Sequence, residues 1–580
     1  MRNKIAMAWA FPISVGIMAT LIAACGPAGQ TGQPTSETSV ETKLEGTTQT
    51  KSAEVAKQRG GKLVMVQTSA FGNPNDPHLP ATATGRVYSV PVTNGILKRD
   101  LYDKNFSIVG DLAKSWELSK DGKSYTFKLQ QGVKFHNVAP VNGREFTSED
   151  AKYSLLRVTA HPSVIVEKWK PRFQRGIDFG EIESIDTPDK YTMVVNLKNP
   201  YAPFLDAAAN PATVILPKEF VEKFPEKIIL EGTIGTGPFI PAEYKNQQLA
   251  SYKKNPDYWK KDSQGGQLPY LDELEFLFFS DIQAELAAFR SRQLDITRSA
   301  AEINKSMVGS IQKDDPNVHV FRTPVANITN FRFNTKVKAF QDVRVRRAFH
   351  LAVDRYQFVD LISEGLGVLS GPVTTPIFPE VAGTMEWLRQ QPGYRKDKSQ
   401  DLAEAKKLMN EAGYSEGLTI GVMGYISGGS SSADAQALLQ DQLKPLNITI
   451  KSETVDYAGQ WVPRATNGEF EMAYMSHTVG TDVDSVIAAH LLGGAPRNYG
   501  KFTSAKLDDL IKKEQLSVTA EERRKWTQEA EKVIFEEAPM IFLYTNVNTM
   551  MAQPWVHNGG NSPIIGGEAN MVEQVWLDKR

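Results

Sequence analysis

Short apolar runs and amphipathic segments alternate along residues 61–580, and this alternation favours an α/β fold. Near the start of the region, KLVMVQ at Lys62–Gln67 predicts a buried strand. Further on, Trp116–Leu129 predicts a β-hairpin, because the turn dipeptide Asp121-Gly122 separates the segment WEL from YTFKL, in which every second side chain is apolar.

Helical periodicity appears where capping residues precede apolar stripes. The segment Thr147-Ser148-Glu149-Asp150 is a capping box ahead of AKYSLLRV. Asp342 opens the long run DVRVRRAFHLAVDRYQFVDLI, which is predicted to be helical, with Val345, Phe349, Ala352 and Val353 on one face. Thr519 caps another helix, and its predicted buried side carries Trp526, Ala530, Val533 and Ile534.

The N-terminus has the pattern of an export signal. Met1–Lys4 is basic, and Ile5–Ala24 is almost wholly apolar and uncharged. The alternative is a transmembrane anchor, since about 20 apolar residues can span a bilayer. The run ends in Leu21-Ile22-Ala23-Ala24-Cys25, which resembles the bacterial lipobox. The resemblance implies that residues 1–25 are a lipoprotein signal peptide ending at Cys25, whose thiol takes the lipid.

Residues 26–60 are rich in Gly, Thr, Ser and Gln and nearly free of large apolar side chains. Such a segment cannot bury enough surface to fold. We predict a flexible tether, with a root-mean-square reach of roughly 30 to 35 Å.

Length and charge limit the classes of function. A chain of 580 residues predicts roughly two to four domains. Its 66 basic and 67 acidic residues give a net charge of −1, so we expect no nucleic-acid partner. Cys25 is the only cysteine, which excludes an intramolecular disulfide and cysteine-rich metal sites.

Motifs of catalysis are absent from the sequence. It contains no Walker loop, GxSxG elbow or HExxH motif. Gly235-Thr236-Gly237-Pro238 is glycine-rich, but a proline and a strand-like segment follow, so we predict a tight turn. No two of the eight histidines have metal-ligand spacing. The expectation is a protein that is not an enzyme and has no cofactor or metal.

Two aspartates, Asp482 and Asp484, follow the strand-like run FEMAYMS. A buried carboxylate at this place would need a cationic partner, and a ligand amine could be that partner. Local sequence equally allows an aspartate that caps the following helix.

Several segments together resemble family 5 extracellular solute-binding proteins, which bind peptides, nickel complexes and some oligosaccharides. They occur in the expected order, and the resemblance covers about 61–560. They are DLAKSWELSKDGKSYTFKLQQGVKFHN, NGREFTSEDAKYSL, GTGPF, NPDYW, DVRVRRAFHLAVDR, AEAKKLMNEAGY, NYGKFTSAKLDDLI and EEAPMIFLY.

The resemblance implies a two-lobed, periplasmic-binding-protein-like (type II) α/β fold with an additional domain inserted in the first lobe. Domain I would comprise 61–97, 231–322 and 541–580. Domain II would be 98–230 and domain III 323–540. Hinge strands would lie near 323–330 and 542–546, and closure between domains I and III would bury the ligand.

Binding residues follow from the same resemblance. Val479-Gly480-Thr481-Asp482 matches the loop in which an aspartate pairs with a ligand amine, so Asp482 is expected to do so, with Gly480 and Thr481 beside it. Other positions are expected to line the cleft: Tyr457, Trp461, Asn498 and Tyr499 from domain III, and Ala81, Thr82, Ala83 and Thr84, through backbone groups, from domain I.

Two departures from the family pattern bear on the ligand. Ser485 follows Asp484 where the family often has proline, and Ser430–Asp434 lacks the arginine that holds the carboxylate in dipeptide binders. A longer peptide, or a ligand without a carboxylate, is therefore expected.

The function implied is that of a monomeric, extracytoplasmic, lipid-anchored substrate-binding protein, which delivers oligopeptides to the permease subunits of an ABC importer. The alternatives are an oligosaccharide binder or a nickel-complex binder of the same fold, the latter because His477 lies near the acidic loop. A sensor and a secreted hydrolase are further alternatives.

Overall fold

The computed structural model of the protein describes residues 58–67, 76–79, 89–103, 106–164, 179–225, 233–245, 248–373, 376–378, 381, 383–427, 430–478, 480, 482–560 and 572–578. All of them belong to one compact unit, Lys57–Arg580. The predicted signal peptide, Cys25 and most of the predicted tether lie outside the described residues. Among the described helices, none is both long and apolar enough to cross a membrane.

Strands occur along the whole described chain. In order they are β1 (Lys62–Gln67), β2 (Leu97–Arg99), β3 (Ile108–Gly110), β4 (Ala113–Leu118), β5 (Ser124–Leu129), β6 (Ile182–Asp189), β7 (Thr192–Leu197), β8 (Phe239–Lys245), β9 (Leu249–Lys254), β10 (Glu273–Phe278), β11 (His319–Pro324), β12 (Asn327–Phe333), β13 (Val368–Leu369), β14 (Leu418–Ser427), β15 (Ser430–Ser431), β16 (Ile448–Asp456), β17 (Met472–Thr478), β18 (Met540–Thr545), β19 (Val547–Ala552), β20 (Val556–His557) and β21 (Trp576–Leu577).

Helices alternate with these strands. The α-helices are Ser148–Val158, Phe204–Ala209, Lys218–Lys223, Ile282–Arg290, Lys305–Asp314, Lys338–Gln341, Val343–Ala352, Arg355–Gln357, Met385–Gln390, Ser399–Glu411, Ala433–Leu443, Val462–Asn467, Ile487–Leu491, Ala505–Gln515 and Ala520–Glu537. Short 3-10 or π turns occur at Val90–Val92, Phe358–Ile362, Lys444–Leu446, Tyr457–Trp461 and Val483–Ser485.

Two smaller sheets are formed by the first half of the described chain. One has the strand order β1-β10-β9-β8, and the other has the order β4-β5-β7-β6. The predicted strand at Lys62–Gln67 and the predicted hairpin are confirmed, with Trp116 opposite Phe127 in the register. The capping box is confirmed as well, because Asp150 accepts a hydrogen bond from the backbone N–H of Thr147 at 2.9 Å.

The largest sheet has the order β13-β18-β12-β17-β14-β15, with β16 paired to β14. Aromatic and aliphatic side chains from this sheet and its helices form the largest apolar core, which includes Phe331, Phe333, Phe349 and Tyr474. Strands β14, β16 and β17 run parallel to one another. The carboxyl ends of these three strands therefore meet at one edge of the sheet.

Two chain crossings join the large sheet to the two-stranded sheet β11-β19, which is linked to β1 through the bridges of Ile296 to Met65 and Ala552. The β11–β12 connection and the β18–β19 connection lie side by side, since Val325 N–H donates to Asn546 O at 2.9 Å and Asn546 N–H donates to Asn327 Oδ1 at 3.0 Å. Strand β11 pairs with β19 on one side, and β12 pairs with β18 on the other. Paired crossings of this kind are suited to hinge motion.

The long helix predicted from Asp342 onward is shorter than expected. It ends at Ala352, and Val353 has extended backbone angles. The cause is Asp354, whose carboxylate accepts from the backbone N–H groups of Tyr356 and Gln357 and so starts a new turn. Helical periodicity continues across this break, so the sequence pattern alone did not predict it.

Candidate functional site

The edge formed by the carboxyl ends of β14, β16 and β17 is the expected place for a ligand. In open α/β sheets, ligands bind in the crevice outside the carboxyl ends of the strands. Here those ends carry Tyr425 on β14, Tyr457 directly after β16, and Ser476 on β17. Each side chain faces the same cavity.

The cavity has a volume of about 470 Å³, within the range of cavities that hold small-molecule ligands. One side is formed by residues next to β19, where Ala300 pairs with Thr549, and the other by the large sheet. Its lining residues are Ala301, Glu302, Asn304, Thr329, Ile362, Ser363, Glu364, Leu366, Gly367, Tyr425, Ser432, Tyr457, Tyr474, Ser476, Tyr544, Asn546 and Val547.

The floor of the cavity is a row of hydroxyl groups across three strands. Thr329 on β12 lies opposite Ser476 on β17 and opposite Tyr544 on β18, so the three side chains share a face. Thr329 Oγ1 donates to Ser476 Oγ at 3.2 Å, and Asn546 Nδ2 donates to the same oxygen at 3.4 Å. This floor can exchange hydrogen bonds with a polar ligand.

One wall of the cavity is aromatic. The rings of Tyr457 and Trp461 stack at 5.6 Å with an interplanar angle of 18°. Tyr425 packs edge-on against both rings, at 5.2 Å from Tyr457 and 6.0 Å from Trp461. Burial raises the pKa of Tyr425 to about 12, so its hydroxyl stays protonated at neutral pH.

Three of the predicted cleft residues come together at this wall. Tyr457 lines the cavity, Trp461 supports it from behind, and Tyr499 lies edge-on to Trp461 at 6.4 Å. Trp461 is 2% exposed, and its indole Nε1 has no hydrogen-bond partner among the described residues. We therefore assign Trp461 to the support of the wall.

Asn498 is buried and bonded locally. Its amide nitrogen donates to Leu492 O at 3.1 Å and to Phe502 O at 2.7 Å, and its oxygen accepts from Phe502 N–H at 3.1 Å. Asn498 does not line the cavity described above. These bonds hold the turn that precedes Tyr499.

The structure places Asp482 apart from this cavity. Its carboxylate lies 2.6 Å from Arg523 Nη2 and accepts from Asp484 N–H at 2.9 Å. Asp482 thus has an internal cationic partner and caps the short turn Val483–Ser485. Gly480 precedes this turn, and a Cβ there would lie 3.3 Å from Ser485 Cβ. The amine-binding role of Asp482 stays a prediction.

Asp482, Asp484 and Glu514 form a buried acidic group with oxygen atoms within 4.8 Å of one another, close enough to hold a cation. The guanidinium of Arg523 is the cation at this place, since it contacts both Asp482 and Glu514. Burial and the charges of Glu514 and Asp482 raise the pKa of Asp484, and burial raises the pKa of Glu514. The Arg523 guanidinium and the raised pKa values of Asp484 and Glu514 both reduce the negative charge of the cluster.

Other predicted binding positions lie outside the described residues. These are Thr481 and the segment Ala81, Thr82, Ala83 and Thr84. Asp76, which precedes that segment, is buried and paired with Arg157 of the Ser148–Val158 helix. Their contacts with a ligand stay predictions.

Most of the cavity floor and both carboxylates of the lining were not predicted from the sequence. Tyr474 and Ser476 are two residues apart on β17, as are Tyr544 and Asn546 at the end of β18. Polar residues at every second position of an otherwise apolar strand are a signal that could have identified these four residues. Glu302 and Glu364 are exposed loop residues with no such local signal.

A buried histidine beside the Gly235–Pro238 bend gives the fold a dependence on pH. His136 Nε2 donates to Gly237 O at 3.0 Å, and burial lowers the pKa of His136 to about 4. A folded-state pKa below the ordinary value near 6.5 means that folding favours the neutral ring. The contribution of neutral His136 to the free energy of unfolding is fully present above pH 6.5. It decreases as the pH falls below 6.5 and is lost as the pH falls through about 4.

We therefore expect the protein to lose on the order of 2 kcal/mol of its unfolding free energy between pH 6.5 and pH 4 through His136. Denaturant unfolding of the wild type and of His136→Gln at several pH values measures this, and the variant should show the shallower loss. His161→Gln, at an exposed position, should keep the wild-type slope. Equal slopes for His136→Gln and the wild type would refute the assignment.

A family model and several curated relatives match this chain. The family model described as bacterial extracellular solute-binding proteins, family 5 Middle, matches residues 107–498. "Di/tripeptide-binding protein 2" of Pseudomonas aeruginosa is 26% identical over 75% of this chain and 80% of its own length. "Heme-binding protein A" of Haemophilus influenzae is 27% identical over 78% and 81%.

Solved structures share the fold. DppA of Helicobacter pylori, a periplasmic binding protein in complex with the peptide STSA, matches with a TM-score of 0.72 at 23% identity, over 90% of this chain and 99% of that one. HbpA2 of Haemophilus parasuis matches with a TM-score of 0.73 at 23% identity, over 90% and 100%. The predicted two-lobed α/β fold is confirmed. Because the family model spans more than half of the sequence, the chain belongs to the family 5 bacterial extracellular solute-binding proteins.

Proposed function

We propose that this chain is the substrate-binding component of an ABC importer and that it carries peptides. The observation that supports this most is the cavity between the two sides of the molecule, at the carboxyl ends of β14, β16 and β17. Its floor offers hydroxyl and amide groups that suit main-chain hydrogen bonding, and its aromatic wall suits side chains of several kinds. Relatives named for dipeptides, tripeptides and oligopeptides support the same ligand class.

The mechanism needs binding and closure without covalent chemistry. The paired crossings at Val325 and Asn546 would let one side of the cleft rotate against the other. A solute bound in the cavity would contact both sides, and its binding free energy would favour the closed state. The permease would then receive the closed protein and its unchanged solute.

The domain assignment is part of the proposal. Domain I would comprise 61–97, 231–322 and 541–580, domain II 98–230, and domain III 323–540. The sheet β1-β10-β9-β8 and the sheet β4-β5-β7-β6 fall within the first two of these divisions. Strand β18 pairs with β12 and β13 in the large sheet although most of it is assigned to domain I, as a strand at a hinge would.

A ligand screen tests the proposed function. Thermal unfolding of the full chain in detergent would be followed with peptides of two to eight residues, oligosaccharides, nickel complexes and haemin. We expect a peptide to raise the unfolding temperature, since a ligand that binds only the folded state stabilises it. Native mass spectrometry of the purified protein would also detect a retained peptide. Stabilisation by another class alone would contradict the peptide proposal.

We also propose that Cys25 carries the lipid anchor and that the protein works as an extracytoplasmic monomer. Metabolic labelling with palmitate should give a labelled wild-type chain and an unlabelled Cys25→Ser chain, because no other cysteine can take the thioether-linked lipid. Label of equal intensity in Cys25→Ser, or none in the wild type, would remove the anchor from the proposal.

A further inference from the structure

The charged side chains that line the cavity, among the described residues, are of one sign. Among the described lining residues, Glu302 and Glu364 are carboxylates, and none is Lys, Arg or His. Glu302 lies two residues after Ala300, whose backbone pairs with Thr549 of β19. Glu364 lies shortly before β13, at the end of the large sheet. The two carboxylates therefore approach the cavity from opposite sides.

Neither carboxylate has an ion pair or hydrogen bond within the described part of the chain. This sets them apart from the acidic group around Arg523, whose charge is satisfied internally. Glu302 reaches the electrostatic surroundings of the aromatic wall, since burial, Tyr457, Tyr544 and Glu302 all raise the pKa of Tyr425. Its charge thus acts on the space that a ligand would occupy.

Two cations lie nearby without lining the cavity. Lys305 begins the helix Lys305–Asp314, and its Nζ is 3.3 Å from the point where a Cβ on Gly365 would lie. Arg497 lies near the far side of the aromatic wall, where its charge opposes the rise that burial and Tyr499 cause in the pKa of Tyr457. Lys305, counted with the two lining carboxylates Glu302 and Glu364, leaves a net charge of −1.

We propose that this cleft selects ligands that carry a positive charge, with Glu302 and Glu364 binding an ammonium or guanidinium group from opposite sides. The two carboxylates outnumber the one nearby ammonium group, that of Lys305, so the empty cleft keeps an excess negative charge that a cationic ligand group neutralises. The faces of Tyr457 and Tyr425 add cation–π attraction for the same group. The inference rests on the proposed function and specifies its substrate class as basic peptides.

Matched peptides test this selection. Isothermal titration calorimetry on the full chain in detergent would compare Ala-Lys-Ala, Ala-norleucine-Ala and Ala-Glu-Ala, whose central side chains are cationic, uncharged and anionic. We expect the lysine peptide to bind about three- to tenfold more tightly than the norleucine peptide, and the glutamate peptide to bind least. Salt should weaken the preference, because the carboxylates are exposed.

Charge-changing variants locate the effect. Glu302→Gln and Glu364→Gln should each reduce the affinity for the lysine peptide about three- to tenfold while leaving the norleucine peptide within about twofold. Lys305→Gln removes the nearby cation and should raise the affinity for the lysine peptide. Glu521→Gln makes the same charge change at an exposed position on the helix Ala520–Glu537. It should alter the affinity for neither the lysine peptide nor the norleucine peptide.

The outcomes separate this inference from the proposed function. Equal affinities for the three peptides, or loss of affinity for all three in Glu302→Gln, would overturn charge selection and leave peptide binding intact. If no peptide bound, 1,5-diaminopentane and 1,5-pentanediol would be compared. Binding of the diamine alone would retain charge selection without peptide transport, and binding of neither would overturn both.

Discussion

Replacement of Arg523 by alanine is expected to lower the free energy of unfolding by about 3–5 kcal/mol. The Arg523 side chain is 17% exposed, and those of its partners Asp482 and Glu514 are 8% and 0% exposed. Without the guanidinium, three neighbouring carboxyls would remain in a poorly solvated place with no cation. Burial lowers the pKa of Arg523, but the surrounding carboxylates outweigh it and raise this pKa.

Denaturant unfolding at neutral pH measures this change, and Arg464→Ala is the matched control. Arg464 pairs with Glu453 at the surface, where the side chains are 31% and 53% exposed, so its loss should cost about 0–1 kcal/mol. The difference in unfolding free energy between Arg523→Ala and the wild type should become smaller in acid, because protonated carboxyls are neutral and do not attract the guanidinium as ions. A loss below about 1 kcal/mol at neutral pH would contradict the role given to Arg523.

Replacement of Asp76 by alanine is expected to cost a similar amount, about 3–5 kcal/mol. Asp76 and Arg157 form a buried ion pair, in which Arg157 Nη1 donates to Asp76 Oδ1 at 2.9 Å. Asp76 also accepts from His78 N–H at 3.0 Å, so its loss removes a backbone anchor together with the charge partner. The anchored turn precedes the predicted ligand segment 81–84, and we expect peptide affinity to fall with stability.

The control for Asp76 is Asp314→Ala, which breaks a surface pair with Arg290 and should cost about 0–1 kcal/mol. Unfolding and peptide titration of both variants would be measured under the same conditions. A stable Asp76→Ala protein with undiminished peptide affinity would show that the buried pair neither holds the fold nor orients the segment after it.

Much of the local structure was predictable from the sequence because its causes are local. Alternation of apolar residues in Ser124–Leu129 and the turn at Gly122 determine the hairpin, whose glycine has a φ of +71°. Thr519 caps Ala520–Glu537 through a bond from Glu522 N–H, as predicted. Trp526 is only partly buried, and the ammonium groups of Lys513 and Lys525 lie over its ring.

The candidate site was less predictable because residues distant in sequence form it. Thr329 and Ser476 are 147 residues apart and meet only through the register of β12 and β17. Asp482 and Arg523 are 41 residues apart, and no local pattern pairs them. Local sequence allowed Asp482 either to cap the following turn or to pair with a cation. In the structure Asp482 caps Val483–Ser485, and its cationic partner is Arg523.

The central claim is that a peptide is held between the two sides of the cleft and released unchanged. The most direct measurement is equilibrium dialysis of the full chain, in detergent, against isotope-labelled Ala-Lys-Ala, followed by mass analysis of the peptide freed by denaturing the protein. The account predicts saturation at one peptide per chain and recovery of the intact tripeptide. Failure to retain the tripeptide, or recovery of shortened products, would contradict it.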